Sequence, residues 1–292
     1  MNPEFVAVDW GTTNRRIFAV DRGGGIASRS SDDRGVLAVQ DFPAEIAALR
    51  IMARGAPLLL AGMIGSSRGW IEVPYVSAPA GLASIAARRQ CVEPDVFIMP
   101  GVVHADPVRP DVMRGEEIQI FGALALGLIG DGLVCLPGTH SKWVEIEAGQ
   151  IMRFRTVMTG DILAALKARS ILSDLLVHEP ACSDAFLAGV DHALEVPDLT
   201  AELFSSRARV LTGQMTAPDA ASRISGLLIG SDIRIGLGRT RADVVPLIGA
   251  PALCEYFALA LQRAGREVIV IDGETAFVAG ARAILGLART IQ

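Results

Sequence analysis

The sequence predicts an α/β chain of two lobes, each with a mixed sheet and a β-meander, and three observations carry that reading. Short apolar strands separated by tight polar turns occur twice, over residues 6–26 and 133–157. Each set is followed by apolar residues at helical spacing, over 43–53 and 161–170. The chain's 292 residues also suffice for two lobes of roughly 120 to 170 residues, which would enclose a cleft.

The first meander runs through a strand at 6–9, a polar turn at 10–14, a strand at 16–20 and a Gly23-Gly24-Gly25 turn into a third strand at Ile26. A helix follows at 43–53. Residues 111–128 open on Asp111, an acidic N-cap candidate, and place Ile118, Phe121, Leu124 and Leu128 at helical spacing, which predicts a helix linking the halves. The second meander repeats the plan: an apolar strand at 133–136, a polar turn at 137–142, an alternating strand at 143–147, an Ala148-Gly149 turn and a strand at 151–157. Asp161 is the expected cap of the helix at 161–170. Residues 268–271 read as a buried strand, and the Ala-rich stretch 274–285 as a helix able to pack back between the lobes. The division is drawn between residues 115 and 116.

Apolar residues make up 51% of the chain and charged ones 20%, the balance of a globular protein. With 27 basic against 32 acidic residues and no Lys/Arg cluster, nucleic acid is excluded as the main partner. Cys91, Cys135, Cys182 and Cys254 are widely spaced, form no C-x-x-C pair and read as small core hydrophobes in a reducing cytosol. The start MNPEFVAVDW lacks the pattern of a signal peptide, and the longest apolar stretch, 120–129, is too short to span a bilayer, so a cytoplasmic protein without membrane contact is expected.

Two turns carry the chemistry. In Asp9-Trp10-Gly11-Thr12-Thr13-Asn14-Arg15 a strand ends in a carboxylate and a glycine lets backbone N–H groups approach phosphate oxygens. Thr12 and Thr13 add donors, and Asp9 is placed to hold Mg²⁺ through water. Taken alone it is equally an ordinary hairpin turn. Leu136-Pro137-Gly138-Thr139-His140-Ser141-Lys142-Trp143 repeats the arrangement in the other half, and two matching turns facing each other across a cleft can hold one phosphate chain. His140 reads as a turn hydrogen-bonder, because no second His or Cys lies nearby, and Lys142 as a side chain that reaches a phosphate or extends to solvent. The P-loop and dinucleotide fingerprints are absent.

VAVDWGTTNRR, AGMIGSSRGWIEVPYVSAPAG, DVMRGEEIQIFGAL, CLPGTHSKW, TVMTGD and VPLIGAPALCEYFALAL occur in that order between Val6 and about Leu285, and on them the chain resembles the 2-dehydro-3-deoxygalactonokinase family. The two phosphate turns point to the hexokinase, Hsp70 and actin superfamily, and the second and third blocks to this family. The resemblance implies an α/β, two-lobed actin-like ATPase (ribonuclease H-like) fold, with a mixed sheet and β-meander phosphate loops in each lobe. It implies a carbohydrate kinase using ATP and Mg²⁺ to phosphorylate 2-dehydro-3-deoxy-D-galactonate at O6, in galactonate catabolism, as a monomer or homodimer. The sugar acid would sit in the 1–115 lobe and the nucleotide in the 116–292 lobe.

The reaction needs a carboxylate to take the hydroxyl proton. Glu116 is the choice, with Glu117 beside it and Asp111 as the alternative; each reads equally as a solvated acid complementing a helix dipole. A substrate carboxylate calls for an arginine, for which Arg68 is placed, with Trp70, Glu72 and Tyr75 lining the sugar; Arg15, Met63, Gly65 and Ser66 complete the substrate candidates. Phosphate and ATP candidates are Gly11, Thr12, Thr13, Asn14, Gly138, Thr139, His140 and Lys142; Gly226 and Gly249 join them because 226–231 and 247–251 resemble the family's adenosine-binding segments, though each also reads as an ordinary strand-to-helix turn. The competing readings are a kinase for an epimeric keto-deoxy sugar acid, a phosphatase of the same superfold and a non-metabolic ATP-driven switch.

Overall fold

In the computed structural model, which describes residues 2–238, 240 and 242–290, the apolar run Phe5–Trp10 forms β1, with five of its six residues buried. β2 (Arg15–Val20) and β3 (Ile26–Asp32) return antiparallel beside it. β3 is mostly exposed at the sheet edge, where its serines and arginine meet water. α1 (Phe42–Ala53) starts where Asp41 accepts a hydrogen bond from the Ala44 N–H at 3.0 Å and Pro43 presets the first turn. It buries Ile46 and Leu49 in the core formed with β1 and β4 (Leu58–Gly62). β4, buried at every position, runs parallel to β1, as a strand covered on both faces must be apolar throughout.

The rest of this part is built from β5 (Val76–Ser77), β6 (Ala80–Gly81), α2 (Leu82–Ala87), β7 (Gln90–Glu93), β8 (Val96–Ile98), β9 (Val102–His104), β10 (Asp111–Met113) and α3 (Glu116–Ala125). The main sheet has the order β3-β2-β1-β4-β8-β7, and β10-β9-β5 form a small second sheet.

β11 (Gly132–Leu136), β12 (Ser141–Glu147) and β13 (Gln150–Val157) make the second meander. They are followed by α4 (Thr159–Arg169), α5 (Asp184–Glu195), α6 (Leu199–Leu211) and α7 (Ala217–Leu237). β14 (Val244–Gly249), α8 (Pro251–Arg263), β15 (Glu267–Asp272) and α9 (Gly273–Thr290) complete the chain's elements. The strand order β13-β12-β11-β14-β15 repeats the β3-β2-β1-β4-β8 order of the first sheet, so the duplicated plan is real at the level of topology. α7 starts at Thr216, whose hydroxyl accepts from the Asp219 N–H, and is buried continuously from Ala220 to Ile233.

The chain packs as two units. The first runs through Asp131 and adds Glu145–Phe154 and the segment from Gly273 onward; the second comprises Gly132–Val144 and Arg155–Asp272. Within the first, Gln150 and Ile151 of β13 pair with Gly81 and Ala80 of β6. Here too α9 lies on α3 so closely that a Cβ at Gly122 would stand 1.7 Å from the Ala276 carbonyl oxygen. That packing keeps α3 with the first unit, so this unit continues past the expected division at 115/116.

Four expectations are corrected. The predicted helix over 111–128 is a strand, β10, followed by α3, which starts only at Glu116, because Gly115 turns the chain at φ 112° and Asp111–Met113 pairs with β9. Asp161 lies inside the first turn of α4 rather than capping it. β15 is an edge strand with Ile269 and Val270 about half exposed, not a buried one. Cys91 and Cys182 are exposed, and only Cys135 and Cys254 are core residues.

Candidate active site

In the first unit, β1 delivers Asp9 to the end of a sheet strand, and the turn after it is held by its own backbone. Gly11 N–H donates to Asn14 O at 2.9 Å. The carbonyls of Gly11, Thr12 and Thr13 accept from Val36, Leu37 and Gly35 at 3.0, 3.2 and 3.1 Å. With its carbonyls turned inward, the turn presents exposed Thr13 and Asn14 and half-buried Thr12. Asp9 Oδ2 accepts from Arg16 Nη2 at 2.6 Å, while a Cβ at Gly115 would stand 3.9 Å from Asp9 Oδ1. Burial pushes the Asp9 carboxyl above the usual range, and Arg16 pulls it partly back. The end of β1 and the start of α3 therefore meet.

The three acids of the next block separate by environment. Asp111 lies on β10 opposite His104, its Oδ1 accepting from Val112 N–H at 2.8 Å. Glu116, half-buried, accepts from Arg114 N–H at 3.0 Å at the first residue of α3. Glu117 is fully buried, and both its oxygens face the Gly115 N–H, at 2.9 and 2.8 Å. Burial, and then the neighbouring Glu116 charge, push its carboxyl up to about 8.

The expected substrate block is a compact 3₁₀ turn, Met63–Gly65, and the loop after it. Ser66 is buried, its hydroxyl donating to Met63 O at 2.7 Å and accepting from Arg68 N–H at 3.2 Å. Arg68 is exposed, Trp70 half-buried against the first unit's core and Tyr75 37% exposed. Sequence reasoning missed Arg114 in this neighbourhood. Its guanidinium lies 4.3 Å from the Tyr75 ring centroid, donates to Val73 O at 2.8 Å and leaves Nε and Nη1 buried without a partner. Its place directly before Gly115-Glu116-Glu117 in the third motif was the available signal. Arg15, expected on the substrate, is 5% exposed, pairs with Asp32 at 2.7 Å and Glu45 at 2.8 Å and lies over Trp10. Its donors tie β2 to the end of β3 and to α1, which corrects the substrate reading.

In the second unit the Gly138-Thr139 turn joins β11 to β12. Thr139 O accepts from Asp161 N–H at 3.0 Å, and a Cβ at Gly160 would stand 2.8 Å from Thr139 Cα, so the start of α4 is pressed onto the turn. His140 Nε2 stands 3.8 Å from Asp161 Oδ2, both side chains about half exposed. Lys142 is 5% exposed with its Nζ donating to Thr156 Oγ1 at 2.9 Å, a correction to both readings of it, since its ammonium is held inside the meander. Gly249 ends β14 beside this turn, where a Cβ would stand 3.4 Å from Pro137 O. Gly226 lies in mid-α7, where a Cβ would stand 2.1 Å from Phe186 O, so it serves helix packing against α5 and forms no turn.

Among the described residues no group of three His, Cys, Asp or Glu side chains could hold a metal ion. The single carboxylate of Asp9 fits an ion that keeps most of its waters, as Mg²⁺ does.

The 2-keto-3-deoxy-galactonokinase family matches residues 9–284. The 2-dehydro-3-deoxygalactonokinase of Escherichia coli (strain K12) is 34% identical over 290 residues, covering 97% of this chain and 98% of the relative. A protein of Rhizobium meliloti (strain 1021) named probable 2-dehydro-3-deoxygalactonokinase is 37% identical over 294 residues, 94% of each. A crystal structure from Sinorhizobium meliloti, assigned the same enzyme name, superposes with a TM-score of 0.90 at 34% identity over 98% of this chain and 99% of that one. With the strand order repeated in two sheets, a match across nearly the whole sequence and relatives similar from end to end, the chain has the α/β actin-like ATPase fold and belongs to the 2-keto-3-deoxy-galactonokinase family.

Proposed function

We propose that the chain transfers the γ-phosphate of ATP to O6 of 2-dehydro-3-deoxy-D-galactonate, as a carbohydrate kinase of galactonate catabolism. Family membership over residues 9–284 supports the reaction. The observation that carries the assignment of roles is the approach of Asp9, at the end of β1, to Gly115, at the start of α3. It joins a metal-holding carboxylate to the acids that can take a proton.

The Gly11-Thr12-Thr13-Asn14 and Gly138-Thr139 turns are the phosphate contacts, with His140 beside the second and Gly249 leaving room for the nucleoside. Asp9 would hold Mg²⁺ through water, and bound Mg²⁺ neutralises charge on the phosphates. Glu116, the half-buried acid at the helix start, takes the proton of the attacking hydroxyl. Glu117, buried beneath it, fixes the Gly115 turn through that residue's N–H. Arg68 recognises the sugar acid's carboxylate, with Met63, Gly65, Ser66, Trp70 and Tyr75 shaping its surroundings. Among the described residues no helix is long and apolar enough to cross a membrane, and we place the reaction in the cytoplasm, performed by a monomer or homodimer.

The test is ADP release by the purified protein with Mg-ATP against a panel of keto-deoxy sugar acids and simple hexoses. ADP release that requires 2-dehydro-3-deoxygalactonate supports the proposal. Preference for an epimer moves the substrate, and phosphate release with no sugar present moves the activity to the phosphatase class. On the confirmed substrate, Glu116→Gln is expected to lower kcat by about a hundredfold or more with little change in ATP affinity; a loss confined to Asp111→Asn reassigns the base.

A further inference from the structure

We propose that Asp232, in the middle of α7, is a positioning residue that sets the shape of the Gly138-Thr139 turn and through it the affinity for ATP. Its carboxylate is fully buried, in a helix stretch whose buried side chains are apolar or small apart from Arg223. A charge there is costly unless it is paired, and the partners are specific. Oδ1 accepts from the indole Nε1–H of Trp143 at 2.7 Å, and Oδ2 from the Thr159 hydroxyl at 2.5 Å. Ser141 lies near the same carboxylate without reaching hydrogen-bond geometry.

Each partner belongs to a support of the turn. Ser141 and Trp143 are on β12, the strand that leaves it. Thr159 is the first residue of α4, whose next two residues bear on the turn directly: Gly160 packs against Thr139 Cα, and the Asp161 N–H donates to Thr139 O. One carboxylate thus ties the strand leaving the turn to the helix start that presses on it. Apolar side chains of the same volume would hold α7 against these elements at least as firmly. What the carboxylate adds is direction, because its two oxygens fix the rotation of the indole and the place of Thr159 together. Trp143 is seated so tightly on α7 that a Cβ at Gly236 would stand 1.9 Å from its ring, which restricts the indole's rotation.

The inference rests on the reading of this turn as a phosphate contact, and four variants separate the two. ATP dissociation constants are measured calorimetrically without sugar acid, together with KM for each substrate and the melting temperature. Thr139→Ala, in the turn itself, is expected to weaken ATP about tenfold or more. Asp232→Asn, whose amide meets two donors with one acceptor, and Thr159→Val are each expected to weaken ATP about tenfold while KM for the sugar acid stays within about twofold. Thr159→Ser, which keeps the hydroxyl, restores ATP affinity. Weakened ATP binding in Thr139→Ala with wild-type affinity in Asp232→Asn and Thr159→Val overturns the role of Asp232 alone. Wild-type affinity in Thr139→Ala overturns the phosphate reading and this inference with it. A lowered melting temperature with both KM values unchanged shows Asp232 to be structural only. Should Asp232→Asn fail to fold, the Thr159→Val and Thr159→Ser pair, which leaves the carboxylate and its bond to Trp143 in place, decides the question.

Discussion

Asp9 and Glu117 are both carboxyls that burial drives above their usual range, yet they differ in use. Asp9 reaches solvent through its bond to the half-exposed Arg16. Replacing it by Asn removes a charge that burial disfavours, so Asp9→Asn is expected to keep the melting temperature within a few degrees while turnover falls about a thousandfold, near-normal turnover removing Asp9 from the mechanism. Glu117 titrates near 8 in the folded chain and near 4.5 when unfolded. Between those values the folded state holds the extra proton, so its contribution to stability is complete below 4.5 and is lost as pH rises through 8. Denaturation midpoints across pH 5 to 9 are expected to fall more steeply in the wild type than in Glu117→Gln, by up to about 1.4 kcal/mol per pH unit; parallel curves would show that Glu117 does not titrate as buried. The two glycine-threonine turns were legible in the sequence because a glycine and hydroxyl residues directly after an apolar strand are a local pattern, whereas the residues that hold them, Gly35, Val36, Leu37 and Asp161, lie more than twenty positions away and were not. The surroundings of Arg15 and Lys142 were not legible either: Arg15 meets Asp32 and Glu45 and Lys142 donates to the Thr156 hydroxyl, partners 14 to 30 positions away that only the folded chain brings to them.

The strands of both meanders stand where the alternation of apolar and polar residues places them, since that pattern is local. Residues 268–271 misled because a parallel edge strand and a central one have the same apolar run, and only the missing neighbour distinguishes them. Residues 111–128 misled because the apolar spacing of α3 is genuine but its start is set by Gly115, whose positive φ no periodicity reports. Gly122 and Gly280 show what a helix pair hides from sequence. A Cβ at either would stand 1.7 or 1.9 Å from a carbonyl oxygen of the facing helix, so α3 and α9 meet backbone to backbone. Gly122→Ala and Gly280→Ala are each expected to cost about 3 kcal/mol or more by urea denaturation, although alanine is the better helix former, because overpacking outweighs propensity. An unchanged midpoint in either would mean that the two helices separate at little cost.

Taken as a whole, the chain completes its first unit from three stretches of sequence, with α9 returning from the far end to cover α3. A chain ended at Asp272 keeps every strand of the main sheets but loses this helix. It is expected to be cleaved by protease first within residues 2–131, with 155–272 protected for longer; equal resistance to the full chain would show that α9 adds nothing to the first unit. The same discontinuity orders events on the ribosome. The residues of the second unit have all been made by position 272, whereas the unit that begins at the first strand lacks its closing helix until residues 273–290 follow. The nascent polypeptide therefore starts its first unit earliest and finishes it after the second, carrying the uncovered α3 face while residues 126–272 are made.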